Sequence, residues 1–262
     1  MVSAEAFGIG HGRPAVGAYN SSGLPSAGQN ANPYTHEASF CIFGVCMPHI
    51  NPLPRDTLEA LEPVFASAEA NMGFVPNSML TMAHMPQLPM AFAMLAGVVM
   101  GADLAPQLRH FRQNVPADSR ADEALSPDLV QLIAYCVSLS AGCGYCQAHI
   151  CHSGHSRGLD ENKIKQILMH ESSDEFSDAE KALIGLALAA GEVPNGSSGE
   201  HFEALREHFS ERQIVQIVGV ISLFGFLNRW NDTVATQLES APSEFAHGVL
   251  EASGWALGKH AG

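Results

Sequence analysis

Residues 126–158 read SPDLVQLIAYCVSLSAGCGYCQAHICHSGHSRG, and the punctuation of this stretch decides the fold. Ser126-Pro127-Asp128 supplies an N-cap, a proline at the first helical position and an acid in the first turn. The run behind it, with Leu129, Val130, Leu132, Ile133, Val137 and Leu139, is predicted to be helical to about Ala141, where Gly142 ends it. A new helix is predicted from near Cys143 to about Arg157, stopped by Gly158. Cys143 then sits at the mouth of that second helix.

The same punctuation recurs on both sides. Asp56-x-x-Glu59 is a capping-box signature for a helix to about Asn71, with Pro63 as a kink or break. Gly73-Phe-Val-Pro-Asn77 reads as a turn, followed by apolar helical segments at about 78–84 and 87–101. Downstream, short helices are expected at Asp160–His170 and His201–His208. Ser177-x-x-Glu180 opens another to about Ala190, ended by Gly191 and Pro194. Ser210-x-x-Gln213 opens the last long helix, to about Leu238. Its stretch from Ile214 to Leu227 is apolar on nearly every side, which places it at a bundle centre or a subunit interface. Interrupted by Gln216 and Ser222, that run is too short to span a bilayer. Strand alternation is not evident, so the expected fold class is all-α.

The chain divides by composition into an arm at 1–47, a helical domain at 48–240 and a tail at 241–262. The arm is rich in Gly, Ser, Pro, Ala and Asn and is expected to be extended or partly disordered. Within it, Phe40 to Cys46 is apolar enough to dock on a neighbour, and Cys41 and Cys46 either bridge or form a buried apolar clip. The first residues lack the basic and apolar regions of a signal peptide. Of 262 residues, 46% are hydrophobic and 15% charged, which describes a globular protein. With 27 acidic against 13 basic residues the net charge is −14, which argues against binding to nucleic acid or anionic membrane. Six cysteines are too few for a disulfide scaffold and fit reduced thiols in the cytoplasm, with one pair set aside for chemistry.

That pair is Cys143 and Cys146. Two thiols at C-x-x-C spacing form a disulfide at little backbone cost, and a helix mouth stabilises a thiolate through unpaired N–H groups. His149 is an i, i+3 neighbour of Cys146 and supplies an imidazole for proton transfer. Tyr145 lies between the cysteines and either offers its hydroxyl or packs. One helix upstream, Gln131 and Ser138 share a polar face two turns apart. The neighbouring Cys143, Cys146, His149, His152 and His155 also suggest zinc. However, steps of three turn each side chain by about −60° around a helix, so one helix cannot close a tetrahedron. Neither metal nor cofactor is assigned. His152 and His155 are read as facing solvent or supporting the site, and Cys136 and Cys151 as buried small apolar residues.

Ser138-Leu-Ser-Ala-Gly-Cys-Gly-Tyr-Cys-Gln-Ala-His149 resembles the alkylhydroperoxidase D-like, carboxymuconolactone decarboxylase superfamily. Gly73-Phe-Val-Pro-Asn77 and Gly225-Phe-Leu-Asn-Arg-Trp-Asn-Asp-Thr233 resemble its peroxidase-related subgroup, and the resemblance covers about residues 50–240. It implies a helical bundle that assembles into homo-oligomers and a dithiol that reduces hydroperoxides. Carried over, Cys146 attacks the peroxide, Cys143 resolves the sulfenic acid to a disulfide, and an external thiol or dithiol restores the pair. Two positions depart from the pattern. Gln131 stands where the family has a glutamate of its proton relay, and Ile150 where it has a histidine, with His149 covering nearly the same face. The superfamily also contains lyases acting on a lactone acid. A lyase or isomerase on a small carboxylated ring, with His149 as acid/base, is therefore the alternative enzyme. A redox- or metal-sensing helical module is the non-enzymatic one.

Overall fold

The computed structural model describes residues 41–42, 45–46 and 48–261. Eleven α-helices carry the fold among these residues, which bears out the all-α class. Among the described residues one antiparallel ladder, β1 (Cys41–Ile42) with β2 (Val45–Cys46), pairs Cys41 opposite Cys46 through the backbone. The side chains of those cysteines, and with them the choice between bridge and clip, lie outside the described residues. So does the rest of the arm.

The helices run α1 (Glu62–Met72), α2 (Asn77–Met82), α3 (Leu88–Val99) and α4 (Leu104–Phe111) in the first part of the domain. Leu61, Val64 and Phe65 pack there with Met79, Ala83, Met90 and Phe111 in a small core. The larger core is built around α5 (Pro127–Ser140), whose residues 131 to 138 are all buried. It packs against α6 (Gly144–His155), α8 (Asp178–Gly191) and α10 (Glu211–Val234), with α7 (Glu161–Gln166) and α9 (Gly199–Arg206) alongside. Each fully buried Leu or Ile in this layer stabilises the fold by about 2 kcal/mol relative to exposure.

Most boundaries follow the predicted punctuation. Gly142, at φ 71°, turns the chain between α5 and α6, and Gly158, at φ 89°, follows α6. Ser177 and Glu180 form a complete capping box on α8, as do Ser210 and Gln213 on α10. Ser126 precedes α5 with Pro127 in the first turn, but its side chain makes no cap bond.

Three expectations are corrected. Asp56 and Glu59 do not open one long helix; two 3-10 turns (Arg55–Thr57 and Glu59–Leu61) precede α1, and Pro63 lies in its first turn. A proline there needs no N–H partner and starts a helix rather than kinking it. Residues beyond 240, read as a tail, form α11 (Ser240–Leu250), which packs on α6, and then 3-10 turns at Glu251–Ser253 and Gly258–His260. Finally, α10 is not buried all round. Ile214, Ile217, Ile221, Asn228 and Asn231 face protein, while Leu223, Phe226, Trp230 and Val234 are 43–58% exposed. By length and composition its 24 residues suffice to cross a bilayer. Buried Arg212, Asn228 and Asn231 on its packed face, however, are the side chains of a helix seated on protein.

Candidate active site

The turn at Gly142 brings the C-terminal end of α5 to the N-terminal end of α6, and Cys143 becomes the N-cap of α6. Its sulfur accepts the backbone N–H of Cys146 at 3.4 Å. The Sγ of Cys146 accepts from Asn231 Nδ2 on α10 at 3.5 Å. Both sulfurs are buried, Cys143 completely and Cys146 at 4% exposure. Both thiols are unbridged.

The two sulfurs form a coupled acid pair with one favoured arrangement. The Cys143 thiol is held below its ordinary value, first by the S–H of Cys146 and then by the Cys146 backbone N–H, against the cost of burial. The Cys146 thiol is pushed up, first by donating to Cys143 and then by burial, and Asn231 offsets part of this. Of the two, Cys143 is therefore the sulfur that ionises more readily and Cys146 the one that keeps its proton.

His149 is partly exposed at the edge of the site. Its ring lies tilted against Tyr145 with centroids 4.4 Å apart, and Nε2 lies 2.7 Å from Oε2 of Glu239. Tyr145 donates its hydroxyl to Oε1 of the same carboxylate at 3.2 Å, so Glu239 joins the two residues on the rim of the site. Its carboxyl is held low, first by its own backbone N–H and, after the opposing cost of burial, by His149. Burial, followed by Glu239, pushes the Tyr145 hydroxyl up.

The upstream polar pair divides. Ser138 donates to Oδ1 of Asn228 at 2.9 Å, and its carbonyl accepts from Gln147 at 3.4 Å. Gln131 is buried, and its Oε1 accepts from Ser153 at 3.5 Å, seven residues along α6 from Cys146. Seven residues are about 10 Å of helix, so Gln131 supports the α5–α6 contact at a distance from the sulfurs. Cys136 and Cys151 are buried, and burial pushes both thiols up, Cys151 to about 12. His152 and His155 lie against Phe245, each with centroids 5.6 Å from its ring.

Several site residues were not foreseen. After α11 the chain returns to the dithiol, and Trp255 Nε1 donates to the carbonyl of Gly144 at 2.9 Å. His260 is 3% exposed; its Nδ1 lies 2.8 Å from the Thr236 carbonyl and its Nε2 3.2 Å from Oδ1 of Asp232. Lys259 donates to Oδ2 of Asp232 at 3.0 Å. Ligand-type atoms of Cys143, Asp232 and His260 all lie within 4.8 Å of one another. The carboxylate is already held by the Lys259 ammonium through Oδ2, and no fourth ligand-type residue among the described ones joins the group, so the cluster is not assigned as a metal centre. Asn231 and Asp232 fall in the Gly225–Thr233 stretch singled out by resemblance, whereas Trp255 and His260 carried no sequence signal.

A groove of about 640 Å³ opens beside this cluster, lined by Val137, Ile221, Asn228, Arg229, Asp232 and Lys259 among others. The Nδ2 of buried Asn228 has no hydrogen-bond partner. A buried donor left unpaired next to a groove is available to an oxygen of a bound molecule.

The carboxymuconolactone decarboxylase family model matches residues 106–189, from α4 through α8 and across both cysteines. The debrominase Bmp8 in its apo form is 32% identical, with 76% of this chain and 97% of that chain covered and a TM-score of 0.47. A cysteine-to-alanine variant of it in complex with 2,3,4-tribromopyrrole is 30% identical, covering 78% and 98%, at the same TM-score. An uncharacterized peroxidase-related protein with the alkylhydroperoxidase AhpD core, from Ralstonia eutropha, is 21% identical, covering 74% and 90%, with a TM-score of 0.41. No curated protein sequence matches the chain. From the family match across α5 and α6, the 32% identity over nearly all of one relative and the Ser138–His149 motif, the chain belongs to the alkylhydroperoxidase D-like, carboxymuconolactone decarboxylase superfamily.

Proposed function

We infer that the chain is a dithiol oxidoreductase that reduces a hydroperoxide at Cys146 and closes a Cys143–Cys146 disulfide. The observation that carries this reading is the pairing of two unbridged thiols at one helix mouth, each sulfur holding a hydrogen-bond donor. Cys146, the sulfur that keeps some exposure, attacks the distal peroxide oxygen; the O–O bond breaks, leaving a sulfenic acid and an alcohol. Cys143, wholly covered, then displaces water from that sulfenic acid. An external thiol or dithiol reduces the disulfide. The groove beside Asn228 and Asp232 admits the substrate, and Asn228 Nδ2 donates to an oxygen of it. Such a cycle suits the reducing conditions of the cytoplasm. Self-association through the exposed stripe of α10 completes the reading.

The test is a titration of the reduced chain with one equivalent of hydroperoxide, read by mass spectrometry. Loss of two hydrogens from the peptide holding both cysteines is expected. Cys143→Ser should stop at a sulfenic acid, and Cys146→Ser should abolish the first oxidation. Oxidation spread evenly over all the cysteines would overturn the reading. So would bromide release from 2,3,4-tribromopyrrole under added thiol without any reaction with peroxide.

A further inference from the structure

Two ring nitrogens of a buried histidine face two oxygen acceptors. Nδ1 of His260 can only donate to the Thr236 carbonyl, 2.8 Å away. Nε2 faces Oδ1 of Asp232 at 3.2 Å, and Oδ2 of the same group accepts from Lys259. A carboxylate that binds an ammonium accepts only, so a proton on Nε2 finds its acceptor there. Both ring nitrogens thus face oxygen acceptors, and a proton on either has a partner. Lys259 is half exposed and Asp232 partly so, which leaves His260 and Cys143 as the buried members of the cluster. The Cys143 sulfur lies within 4.8 Å of a His260 ring nitrogen and an Asp232 oxygen, near enough for the ring to exchange a proton with the thiol.

The chain segment that delivers His260 is built to reach this spot. A Cβ at Gly144 would lie 2.9 Å from the carbonyl oxygen of Ala256, so only glycine lets the segment seat against the start of α6. Trp255 and the main chain of His260 pin it there, the latter through Leu238 N–H donating to its carbonyl at 3.0 Å.

We propose that His260, held by Asp232, is the acid–base residue of the dithiol and rests as an imidazolium paired with the Cys143 thiolate. This deepens the dithiol reading and fills the role left open where Gln131 replaces an acid. The resting site is Cys143–S⁻, His260–H⁺ and Cys146–SH. Cys146 passes its proton to Cys143 and attacks the hydroperoxide; His260 protonates the departing alkoxide to an alcohol. His260, now neutral, takes the proton of the Cys143 thiol. The Cys143 thiolate attacks the Cys146 sulfenic sulfur, the S–S bond forms, the S–O bond breaks, and His260 protonates the departing hydroxide to water. Two protons and two electrons have left the site. A dithiol reductant returns both as it becomes a disulfide, and the imidazolium–thiolate pair is restored.

The experiment titrates the full reduced chain by its ultraviolet thiolate absorbance and, separately, follows disulfide closure under hydroperoxide. The groups that face His260 are Cys143 at the mouth of α6, Tyr145 from α6, and Asp232 from α10, with Lys259 next to it in the chain. Control variants Cys143→Ser and Tyr145→Phe assign the signal. One thiolate per chain is expected near neutral pH. In His260→Ala its appearance should move up by about one pH unit or more, and closure should slow about tenfold or more. Asp232→Asn should move both in the same direction by less, and added imidazole should restore closure in His260→Ala. Should His260→Ala misfold, His260→Gln, which keeps the bond to Thr236 but cannot carry the proton, gives the same readout. An unchanged thiolate profile in a folded His260 variant would overturn the proposal. So would stoichiometric zinc that His260→Ala releases. If the wild type never closes a disulfide under peroxide, the peroxidase reading fails, while the thiolate titration still decides the imidazolium pair.

Discussion

The α-carbon of Gly144 lies so close to the carbonyl of Ala256 that a single methyl group on it would stand 2.9 Å from that oxygen. The contact joins the second residue of the C-x-x-C motif to a segment more than a hundred residues later. Gly144→Ala should lift that segment and break the bond from Trp255 to the Gly144 carbonyl. A loss of about 1–3 kcal/mol is expected, the usual cost of overpacking. Thermal unfolding measures it, and a red shift of Trp255 emission in a Trp230→Phe background locates it. An unchanged emission maximum would show that the segment does not rest on Gly144.

The Cys143 thiol is held low chiefly by the Cys146 side chain. Cys146→Ala removes that donor, so the pH at which Cys143 ionises should rise. Cys146→Ser retains a hydroxyl donor and should leave it nearer the wild-type value. Thiolate absorbance of the single-cysteine-pair variants gives the order, and a lower ionisation pH in Cys146→Ala would contradict it.

Arg212 is buried, and its only anchoring ion pair among the described residues is with Asp118 at 2.6 Å. Its Nε and Nη1 have no partner, so the pair carries the whole burden of that charge. Asp118→Asn should destabilise the fold by about 3 kcal/mol, because an uncompensated cation stays inside. Hydrogen bonding from Arg212 holds the Asp118 carboxyl below the usual carboxylate range. The sign follows: its stabilisation is complete above the unfolded-state value, about 3.9, and is lost as pH falls through the lower folded-state value. Acid unfolding should therefore start at higher pH in Asp118→Asn, as denaturant melts across the acid range would reveal.

Leu223, Phe226, Trp230 and Val234 recur at helical spacing on the open side of α10. If copies of the chain meet there, Leu223→Glu with Trp230→Glu should reduce the mass measured by light scattering to that of a single chain. An identical mass for variant and wild type would move the association elsewhere.

The helix class and most helix ends were legible because their signals are local. Gly142, Gly158, Ser177–Glu180 and Ser210–Gln213 each set their boundary within a few residues of sequence. Both missed helices, α4 and α11, carry a proline in the first turn, Pro106 and Pro242, which reads as a break when the start of the helix is not already known. The dithiol was legible for the same local reason, since Cys143 and Cys146 lie one turn apart. Its partners were not, because Asn231, Asp232 and His260 reach it only through tertiary folding. His149 was legible beside the dithiol, but its partner was not: at the rim it meets Glu239, a residue about ninety positions away that no local pattern connects to it.

The chain between Thr236 and His260 is closed on itself, since His260 grips Thr236 with its ring and Leu238 with its carbonyl. Everything between those points, α11 included, is a loop tethered at its neck beside Cys143. Thermodynamic linkage then works in both directions. Whatever free energy a Cys143 thiolate gains from the seated loop, the loop gains in return for staying seated. In the proposed cycle oxidation would remove that thiolate, and the grip of the neck and the mobility of α11 would then report the redox state of two sulfurs.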